Sequence, residues 1–559
     1  MEKVWLKSYP PGVPAEVNTR EFSSLNEIVA QGCAKYAKRT AFVQMGRGMS
    51  YRELDDYATR FGAWLQSQAG LKKGERVALM MPNLLQYPIA LFGALRAGFI
   101  IVNTNPLYTA PELEHQLNDS GATAIVILEN FAHVLQDVIA RTKVRTVIVT
   151  QVGDLLGAPK SWLVNYVIRH KRKQIPPWRI DGAVHFKQVL ATGKHLTLMR
   201  PEVGHDDIAF LQYTGGTTGV AKGAMLTHGN IVANIVQARA WVQGVFPRNH
   251  AILVTPLPLY HIFGLTANCL LFMLLGWQNI LIVNPRDFPA FVAELKKYRV
   301  TFLTGVNTLF NALLHTPGIE SVDWSGLKIA LAGGMAAQAS VAEHWKKVTG
   351  QVLTQAWGLT ETSPAACINI PETDFNGSIG LPIPSTEISI RDDAGAELAV
   401  GQVGELCVRG PQVMRGYWNR PDETAKVMLP EGWLRTGDIG HMDERGYVFI
   451  EDRKKDMINV SGFNVYPNEV EAVVAAHPGV LEVAAVAQPD ERSGEAVALF
   501  VVRKDPSLTP EQIIEHARQS LTGYKTPKHV YFRAELPKTN VGKILRRALR
   551  DQLPQSSTP

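Results

Sequence analysis

The chain has 559 residues, of which 46% are hydrophobic and 19% are charged. At about 150 residues per domain this length accommodates three or four packed units, and the composition excludes a largely disordered chain, a coiled coil and a disulfide-rich miniprotein. The formal net charge of +6, from 57 basic and 51 acidic residues, is too small to indicate a nucleic-acid-binding protein and is compatible with anionic substrates or an anionic surface.

Neither the cysteines nor the N-terminal segment predicts export. The four cysteines lie far apart, without the spacing of a zinc site or a disulfide framework, so reduced thiols are expected. The N-terminal segment lacks the apolar core of a signal peptide, which predicts a cytoplasmic protein. The cysteines are Cys33, Cys269, Cys367 and Cys407.

Short β-branched, apolar runs alternate with longer amphipathic stretches between residues 122 and 332. This alternation predicts an α/β architecture with mostly parallel sheets. The runs that we expect to form strands are 122–128, 145–150, 252–256, 279–283, 301–306 and 328–332.

Segment 160–173 predicts a surface helix in one of two environments. It combines Trp162, Leu163 and Tyr166 with a basic run at 169–173. This composition is typical of a helix that lies on an anionic membrane face. A solvated surface helix is the alternative.

Segment 262–283 carries no formal charge and is long enough to cross a bilayer. Gly264 and Gly276 interrupt it, however, and residues 279–283 have the pattern of a short buried strand. We therefore expect a buried helix followed by a strand, with a membrane span as the alternative.

The pattern changes in the last third of the chain. Between about 386 and 451, short strands are separated by glycine and aspartate, which predicts a small β-rich subdomain. After a boundary near 452–456, apolar runs at 480–487 and 496–502 precede a helix start at Thr509-Pro510. These elements predict a C-terminal α+β domain of about 100 residues.

A Gly/Thr-rich loop at 213–223 follows a strand-like run at 208–211. Glycines let backbone N–H groups turn toward an anion, threonines add hydroxyl donors, and Lys222 adds a positive charge. The loop therefore predicts a phosphate site, with a plain linker as the alternative. Because Gly223 follows Lys222 where the common nucleotide P-loop has Ser or Thr, that P-loop is excluded.

The loop resembles the phosphate-binding signature of the adenylate-forming superfamily, which contains acyl-CoA synthetases, luciferases and peptide-synthetase adenylation domains. Ala221 stands where many members have proline, and this departure leaves the glycines and the lysine intact. The resemblance implies that the loop binds ATP through Tyr213, Thr214, Gly215, Gly216, Thr217, Thr218, Gly219, Val220, Ala221, Lys222, Gly223 and Ala224.

Two later segments resemble further motifs of this superfamily. Segment 356–361 resembles the adenine and magnesium motif, with Trp357 as the aromatic that is usually tyrosine. Glu361 would hold Mg²⁺ with Thr214 nearby, because a triphosphate reacting at its α-phosphorus needs a hard, oxygen-bound cation; an ordinary surface carboxylate is the alternative. Gly333-Gly334-Met335 resembles the segment that lines the adenine and acyl pocket, although a plain turn has the same pattern. These motifs add Gly333, Gly334, Trp357, Gly358 and Thr360 to the expected ATP site.

The stretch 432–456 is similar to the signature of fatty acyl-CoA synthetases. By this resemblance Asp438 accepts hydrogen bonds from both ribose hydroxyls, and Arg453 contacts ribose or phosphate. Lys455 occupies the position about which the C-terminal domain rotates. A salt-bridged charged turn is the alternative for the charged residues.

Two C-terminal segments complete the resemblance. Ser461, Gly462 and Phe463 begin a loop that resembles the lining of the pantetheine tunnel for CoA, and segment 537–546 resembles the terminal motif with Lys543 as the adenylation lysine. A plain loop and a basic tail are the alternatives. The resemblance implies an N-terminal AMP-binding domain at 1–452, a hinge at 453–456 and a mobile C-terminal domain at 457–559.

The matching motifs cover essentially the whole chain in the family's order, and segments 82–88, 118–121 and 258–263 are closest to bacterial long-chain fatty-acid–CoA ligases. The implied reaction joins a long-chain fatty acid to AMP from ATP and then to CoA, with Mg²⁺ as cofactor. Lys543, Glu361 and Thr214 would be catalytic. Peripheral contact with an anionic inner membrane is expected on its cytoplasmic face, and both a monomer and a homodimer are compatible with the sequence.

Other functions fit parts of the pattern. A fatty-acid–AMP ligase that serves a carrier protein, or an aryl-CoA ligase, would share most motifs, and a fatty-acid-binding membrane protein could keep the fold without the activity. A generic ATPase is disfavoured by the missing Gly-Lys-Ser/Thr. His261, beside an apolar aromatic stretch, is either a border of the acyl pocket or a core histidine.

Overall fold

The computed structural model describes residues 2–214, 221–246, 250–490, 492–539 and 541–553. Its helices are α1 (Leu25–Lys35), α2 (Tyr51–Ser67), α3 (Gln86–Arg96), α4 (Ala110–Ser120), α5 (Ala132–Val138), α6 (Lys160–Tyr166), α7 (Phe186–Gly193), α8 (His228–Val242), α9 (Leu271–Leu275), α10 (Phe288–Leu295), α11 (Asn307–Leu314), α12 (Ala339–Thr349), α13 (Pro421–Val427), α14 (Pro467–Ala475), α15 (Pro510–Arg518) and α16 (Arg546–Arg550). Its strands are β1 (Thr40–Gln44), β2 (Arg47–Ser50), β3 (Arg76–Met80), β4 (Ile100–Asn103), β5 (Ala124–Leu128), β6 (Thr146–Thr150), β7 (Val184–His185), β8 (Ile208–Thr214), β9 (Lys222–Thr227), β10 (Ile252–Thr255), β11 (Gln278–Leu281), β12 (Phe302–Gly305), β13 (Ile329–Gly333), β14 (Leu353–Gly358), β15 (Ala365–Ile368), β16 (Leu381–Pro382), β17 (Glu387–Arg391), β18 (Gly404–Arg409), β19 (Leu434–Met442), β20 (Val448–Arg453), β21 (Ile458–Val460), β22 (Phe463–Val465), β23 (Val480–Asp490), β24 (Gly494–Arg503) and β25 (His529–Arg533).

Two large, mostly parallel sheets form the N-terminal part. One has the order β7-β6-β5-β3-β4-β8-β9, and the other has the order β16-β15-β14-β13-β12-β10-β11-β1-β2. Their central strands are mostly apolar and buried, and β5 is buried along its whole length, because helices cover both faces of a parallel sheet. The predicted α/β class with mostly parallel sheets is confirmed, and all six predicted runs form strands.

Two smaller sheets follow. Strands β17-β18-β19-β20 form an antiparallel sheet, and β22-β21-β24-β23 form a second sheet in which β25 also pairs with β24. Helix α15 begins as predicted, since the Thr509 hydroxyl caps it by accepting a hydrogen bond from the backbone N–H of Gln512. The β-rich and C-terminal α+β parts of the predicted fold class are thus confirmed.

The uncharged segment 262–283 is a buried helix and a strand, as predicted. A π-helical stretch at Gly264–Leu270 continues into α9, Gly276 ends the helix with a left-handed φ of 69°, and β11 follows. Glycine suits that position because a side chain there would be strained. Among the described residues, no helix combines the length and the apolar character needed to cross a bilayer.

Segment 160–173 is a surface helix. Helix α6 continues as a π-helical turn at Val167–Lys171. The side chains of Trp162, Leu163 and Tyr166 are 69%, 64% and 54% exposed. The structure therefore places an apolar, aromatic group in solvent directly before the basic run.

Candidate active site

The two strands that flank the predicted phosphate loop, residues 213–223, bring its ends together. Strands β8 and β9 are antiparallel neighbours, and Thr214 pairs with Lys222 across the ladder. Both residues line a cavity of about 1710 Å³. The predicted loop residues Gly215, Gly216, Thr217, Thr218, Gly219 and Val220 lie outside the described residues.

Lys222 has an acidic partner that the sequence analysis missed. Its ammonium group forms an ion pair with Glu423 of α13 and lies 5.1 Å from the centroid of the Tyr417 ring. Hydrogen bonding to Lys222 is the main cause that lowers the pKa of Glu423 to about 2. The Tyr417 hydroxyl in turn donates to Oε1 of Glu361 at 2.7 Å. A chain of polar contacts therefore links the phosphate loop to the predicted magnesium ligand.

Asp438 is a buried carboxylate with two protein partners. It is 2% exposed. The indole Nε1 of Trp357 donates to its Oδ2 at 2.9 Å, and Nε of Arg453 lies 2.6 Å from its Oδ1. Burial raises the pKa of Asp438, whereas the Arg453 charge and the Trp357 hydrogen bond lower it. Strand pairing explains the ion pair, since Asp438 on β19 lies opposite Arg453 on β20.

Lys543 of the C-terminal part reaches the same cavity. Gly334 has a left-handed φ of 81°, and a Cβ there would lie 3.0 Å from Cε of Lys543. The neighbouring Gly542 accepts a hydrogen bond from the Thr308 hydroxyl at 2.9 Å, which fixes this segment on α11. Burial, followed by the positive charge of Arg453, lowers the pKa of Lys543 to about 8.

An ionic cluster ties the Lys543 segment to the predicted hinge. Arg546 donates to Glu471 of α14 at 2.8 Å, and its Nη1 lies 3.6 Å from carboxylate oxygens of Asp452 and Asp456. Glu471 and Asp452 are buried. The terminal segment, α14 and the hinge are therefore held to one another. The sequence offered no signal for the partners of Arg546, because they lie on separate elements.

The predicted residues divide into two groups. Ser461, Gly462 and Phe463 are exposed and lie outside the cavity lining, where Phe463 stacks on Tyr524 with ring centroids 4.8 Å apart. Ala221, Gly223 and Ala224 also do not line the cavity. Those that do line it are Tyr213, Thr214, Lys222, Gly333, Gly334, Trp357, Gly358, Thr360, Glu361, Asp438, Arg453, Lys455 and Lys543.

The cavity extends from these polar groups into an apolar part. His261 and Phe263 line it near Gly333, and a Cβ at Gly333 would lie 2.9 Å from the Phe263 ring. Burial, followed by the positive charge of Lys543, lowers the pKa of His261 to about 3, so His261 is neutral near pH 7. Farther along, Val242 and Phe302 line the cavity. The site therefore joins a charged end to an apolar pocket.

Comparison with known proteins identifies the family of this chain. The model of the AMP-binding enzyme family matches residues 29–418, and that of the AMP-binding enzyme C-terminal domain matches residues 469–543. The long-chain-fatty-acid–CoA ligase of Escherichia coli O157:H7 is 57% identical over 99% of this chain and 98% of that protein. The protein of the same name from Haemophilus influenzae is 52% identical over 99% of both chains.

Solved structures agree with this assignment. ATP-bound MatB from Rhodopseudomonas palustris has a TM-score of 0.79 at 28% identity, covering 94% of this chain and 98% of its own. The anthranilate CoA ligase AuaEII, solved with anthranoyl-AMP, has a TM-score of 0.84 at 24% identity. The match covers 96% of this chain and 98% of the AuaEII chain and supports the fold. The predicted resemblance to bacterial long-chain fatty-acid–CoA ligases of the adenylate-forming superfamily is confirmed. The chain belongs to the AMP-binding enzyme family.

Proposed function

We propose that this chain is an AMP-forming long-chain-fatty-acid–CoA ligase. A fatty carboxylate attacks the α-phosphorus of ATP, giving acyl-AMP and pyrophosphate, and the CoA thiol then attacks the acyl carbonyl, giving the thioester and AMP. The observation that carries this proposal is one cavity in which Lys543, Glu361 and Asp438 meet and which continues into an apolar pocket. Relatives named long-chain-fatty-acid–CoA ligase match 99% of the chain and support the same reaction.

The first reaction builds negative charge on the transferring phosphate and on pyrophosphate. Lys543 faces this position from the C-terminal part, and Lys222 faces it from the phosphate loop. Preorganised positive groups of this kind stabilise the transition state, and the loss of one such donor typically costs about 10²–10³ in rate. Thr214 adds a hydroxyl donor at the start of the loop.

The nucleotide is held by the residues around Asp438. Its carboxylate accepts hydrogen bonds from the ribose hydroxyls, Arg453 contacts ribose or phosphate, and Trp357 presents a ring face to adenine. The remaining contacts come from Tyr213, Thr214 and Lys222 at the ends of the loop and from Gly333, Gly334, Gly358 and Thr360, all of which line the cavity.

The donor set around Glu361 fits magnesium. Mg²⁺ takes oxygen ligands, usually one or two protein groups together with substrate phosphates and water. Glu361 supplies a carboxylate that the Tyr417 hydroxyl orients, and Thr214 supplies a hydroxyl in the same cavity. In the described part of the chain no three His, Cys or acidic side chains converge, which suits a cation shared with phosphates. When bound there, Mg²⁺ neutralises phosphate charge.

The second reaction needs space for CoA where Lys543 stands. A thiol of pKa about 8.5 is partly ionised near neutrality, so a strong dedicated base is unnecessary. We place the division at an N-terminal domain 1–452, a hinge 453–456 containing Lys455 and a C-terminal domain 457–559. Rotation about the hinge withdraws Lys543 and brings Ser461, Gly462 and Phe463 to the pantetheine tunnel. Their position outside the cavity supports this movement.

The test measures the AMP and pyrophosphate that the purified protein forms from palmitate, ATP, Mg²⁺ and CoA. We expect palmitoyl-CoA and AMP in equal amounts. Pyrophosphate release with palmitate that is not followed by AMP release when CoA is added favours a fatty-acid–AMP ligase, faster turnover of benzoate than of palmitate favours an aryl-CoA ligase, and ADP in place of AMP overturns the proposal.

We also propose that segment 160–173 docks the enzyme on the cytoplasmic face of an anionic membrane. Trp162, Leu163 and Tyr166 are exposed and precede the basic residues, an arrangement that suits insertion of rings at the lipid interface beside anionic headgroups. Arg169 is engaged with the buried Glu129, so residues 171–173 supply the charge for lipid.

Sedimentation with phosphatidylglycerol vesicles tests this contact. Replacing Lys171, Arg172 and Lys173 together by glutamate should abolish binding while leaving soluble turnover of palmitate unchanged. Arg169 is left unchanged, because replacing it would remove the ion-pair partner of the buried Glu129 carboxylate. As a matched control, three lysines replaced elsewhere on the surface, at Lys296, Lys297 and Lys328, should leave binding intact. Equal sedimentation of both triple variants contradicts the proposal.

A further inference from the structure

The length of strand β13 gives the depth of the apolar part of the cavity. Ile329, Leu331 and Gly333 of β13 all line it, because alternate residues of a strand face the same side. Gly333 adjoins Gly334, whose Cα lies beside Lys543. At about 3.3 Å per residue, Ile329 is about 13 Å from Gly333. The pocket therefore runs from the reacting end to the level of Ile329.

Aromatic rings cluster beside the pocket at this level. Phe302 of β12 pairs with Ile329 across the parallel ladder and is 3% exposed. The Phe246 ring lies 5.7 Å from the Phe302 ring and 4.5 Å from the Trp277 ring, measured between centroids. Phe272 stands behind them, 5.2 Å from Phe302 and 4.9 Å from Trp277. Of these four rings, Phe246 and Phe302 line the cavity.

Phe246 differs from the other three rings in its surroundings. Phe272, Trp277 and Phe302 are buried in the core, whereas Phe246 follows α8 and is only half-buried. Phe246 therefore both lines the apolar pocket and is partly exposed. A half-buried ring can be displaced or shortened at lower cost than one packed on every side.

We infer that Phe246 forms the end wall of the acyl pocket and sets the upper length of the fatty acid that this enzyme activates. This inference rests on the proposed function. With C–C bonds of about 1.5 Å, at least about nine bonds are needed to cover the 13 Å between Gly333 and Ile329. Octanoate therefore ends before the Phe246 ring, palmitate extends as far as the ring, and a much longer acid would collide with it.

The test compares kcat/KM for octanoate, palmitate and docosanoate in the full-length enzyme and two opposite variants. Phe246→Ala should raise the ratio of docosanoate to palmitate at least about tenfold, since a few methylenes in an apolar pocket are worth that much or more. Phe246→Trp should lower the ratio of palmitate to octanoate. Octanoate itself should change little in either variant.

Phe449→Ala is the matched control. Phe449 is also a half-buried phenylalanine, but it stacks on His441 outside the cavity lining, so both kcat/KM ratios should stay at the wild-type values. If the wild-type enzyme makes palmitoyl-CoA and both Phe246 variants keep its chain-length ratios, the inference is wrong. If the wild-type enzyme makes no palmitoyl-CoA, the proposed function fails instead.

Discussion

The indole Nε1 of Trp357 donates a hydrogen bond of 2.9 Å to Oδ2 of Asp438, 81 residues farther along the chain. Arg453 contacts the other carboxylate oxygen, so the protein orients both oxygens of the proposed ribose acceptor. Trp357 stands where the family resemblance predicts tyrosine, and its indole ring carries an N–H donor. Trp357 thus links the proposed adenine side of the site to the proposed ribose side.

Trp357→Phe should raise KM for ATP about tenfold or more, with a smaller change in kcat. The substitution keeps an aromatic face and removes only the N–H, and a hydrogen bond to a charged group contributes about 1.5–3 kcal/mol. Because this hydrogen bond lowers the pKa of Asp438, its loss should also move the acid limb of kcat/KM to higher pH. Trp162→Phe, at an exposed tryptophan, is the control. An unchanged KM and acid limb would show that the contact does not position Asp438.

Lys543→Ala should separate the two half-reactions. Adenylation, measured as exchange of labelled pyrophosphate into ATP with palmitate, should fall by about 10²–10³ because a preorganised positive charge is lost. Conversion of supplied palmitoyl-AMP and CoA to thioester should stay close to the wild-type rate. Equal losses in both assays would mean that Lys543 acts in more than adenylation.

The ionisation of Lys543 predicts how adenylation depends on pH. Burial and Arg453 bring its pKa down to about 8, and only the protonated form carries the charge that the phosphates need. kcat/KM for ATP in the adenylation assay should therefore fall as pH rises through about 8, approaching a tenfold loss for each further unit. Lys543→Arg should retain activity and lose this limb, since a guanidinium stays protonated throughout. If kcat/KM still falls above about pH 8 in the arginine variant, the group that titrates is not Lys543.

Local patterns were sufficient for the fold class, and most of the described residues that the motif resemblance selected line one cavity. The run that became β5 is apolar and mostly β-branched, and the run that became β13 is apolar along its length. The Thr509-Pro510 pair marks a helix start by itself. The partners of these parts were not predictable. Glu423 lies 201 residues from Lys222 and Tyr417 lies 56 residues from Glu361, and no spacing rule relates side chains that meet only after the sheets have assembled.

The pair formed by Lys222 and Glu423 predicts a variant with tighter ATP binding. In the proposed function, the ATP phosphates would compete with the Glu423 carboxylate for the Lys222 ammonium group. Glu423→Gln should therefore lower KM for ATP, and because exposed ion pairs are weak the change should be about two- to fivefold. Asp422→Asn, on the same helix and without a contact to Lys222 among those described, is the matched control. A rise in KM would instead make Glu423 a group that positions Lys222 for the nucleotide.

Lys455→Pro should impair the thioester step more than adenylation. Proline fixes φ near −65° and restricts the residue before it, so it limits rotation at the proposed hinge. The state seen here already places Lys543 in the cavity, and Arg546 ties that segment to Asp452, Asp456 and Glu471, so adenylation needs no further rotation. Thioester formation from supplied palmitoyl-AMP should fall at least about tenfold, while pyrophosphate exchange falls less. Lys455→Ala, which removes the side chain and keeps the backbone free, separates loss of the ammonium group from loss of rotation. A proline variant with wild-type rates in both assays would place the pivot elsewhere.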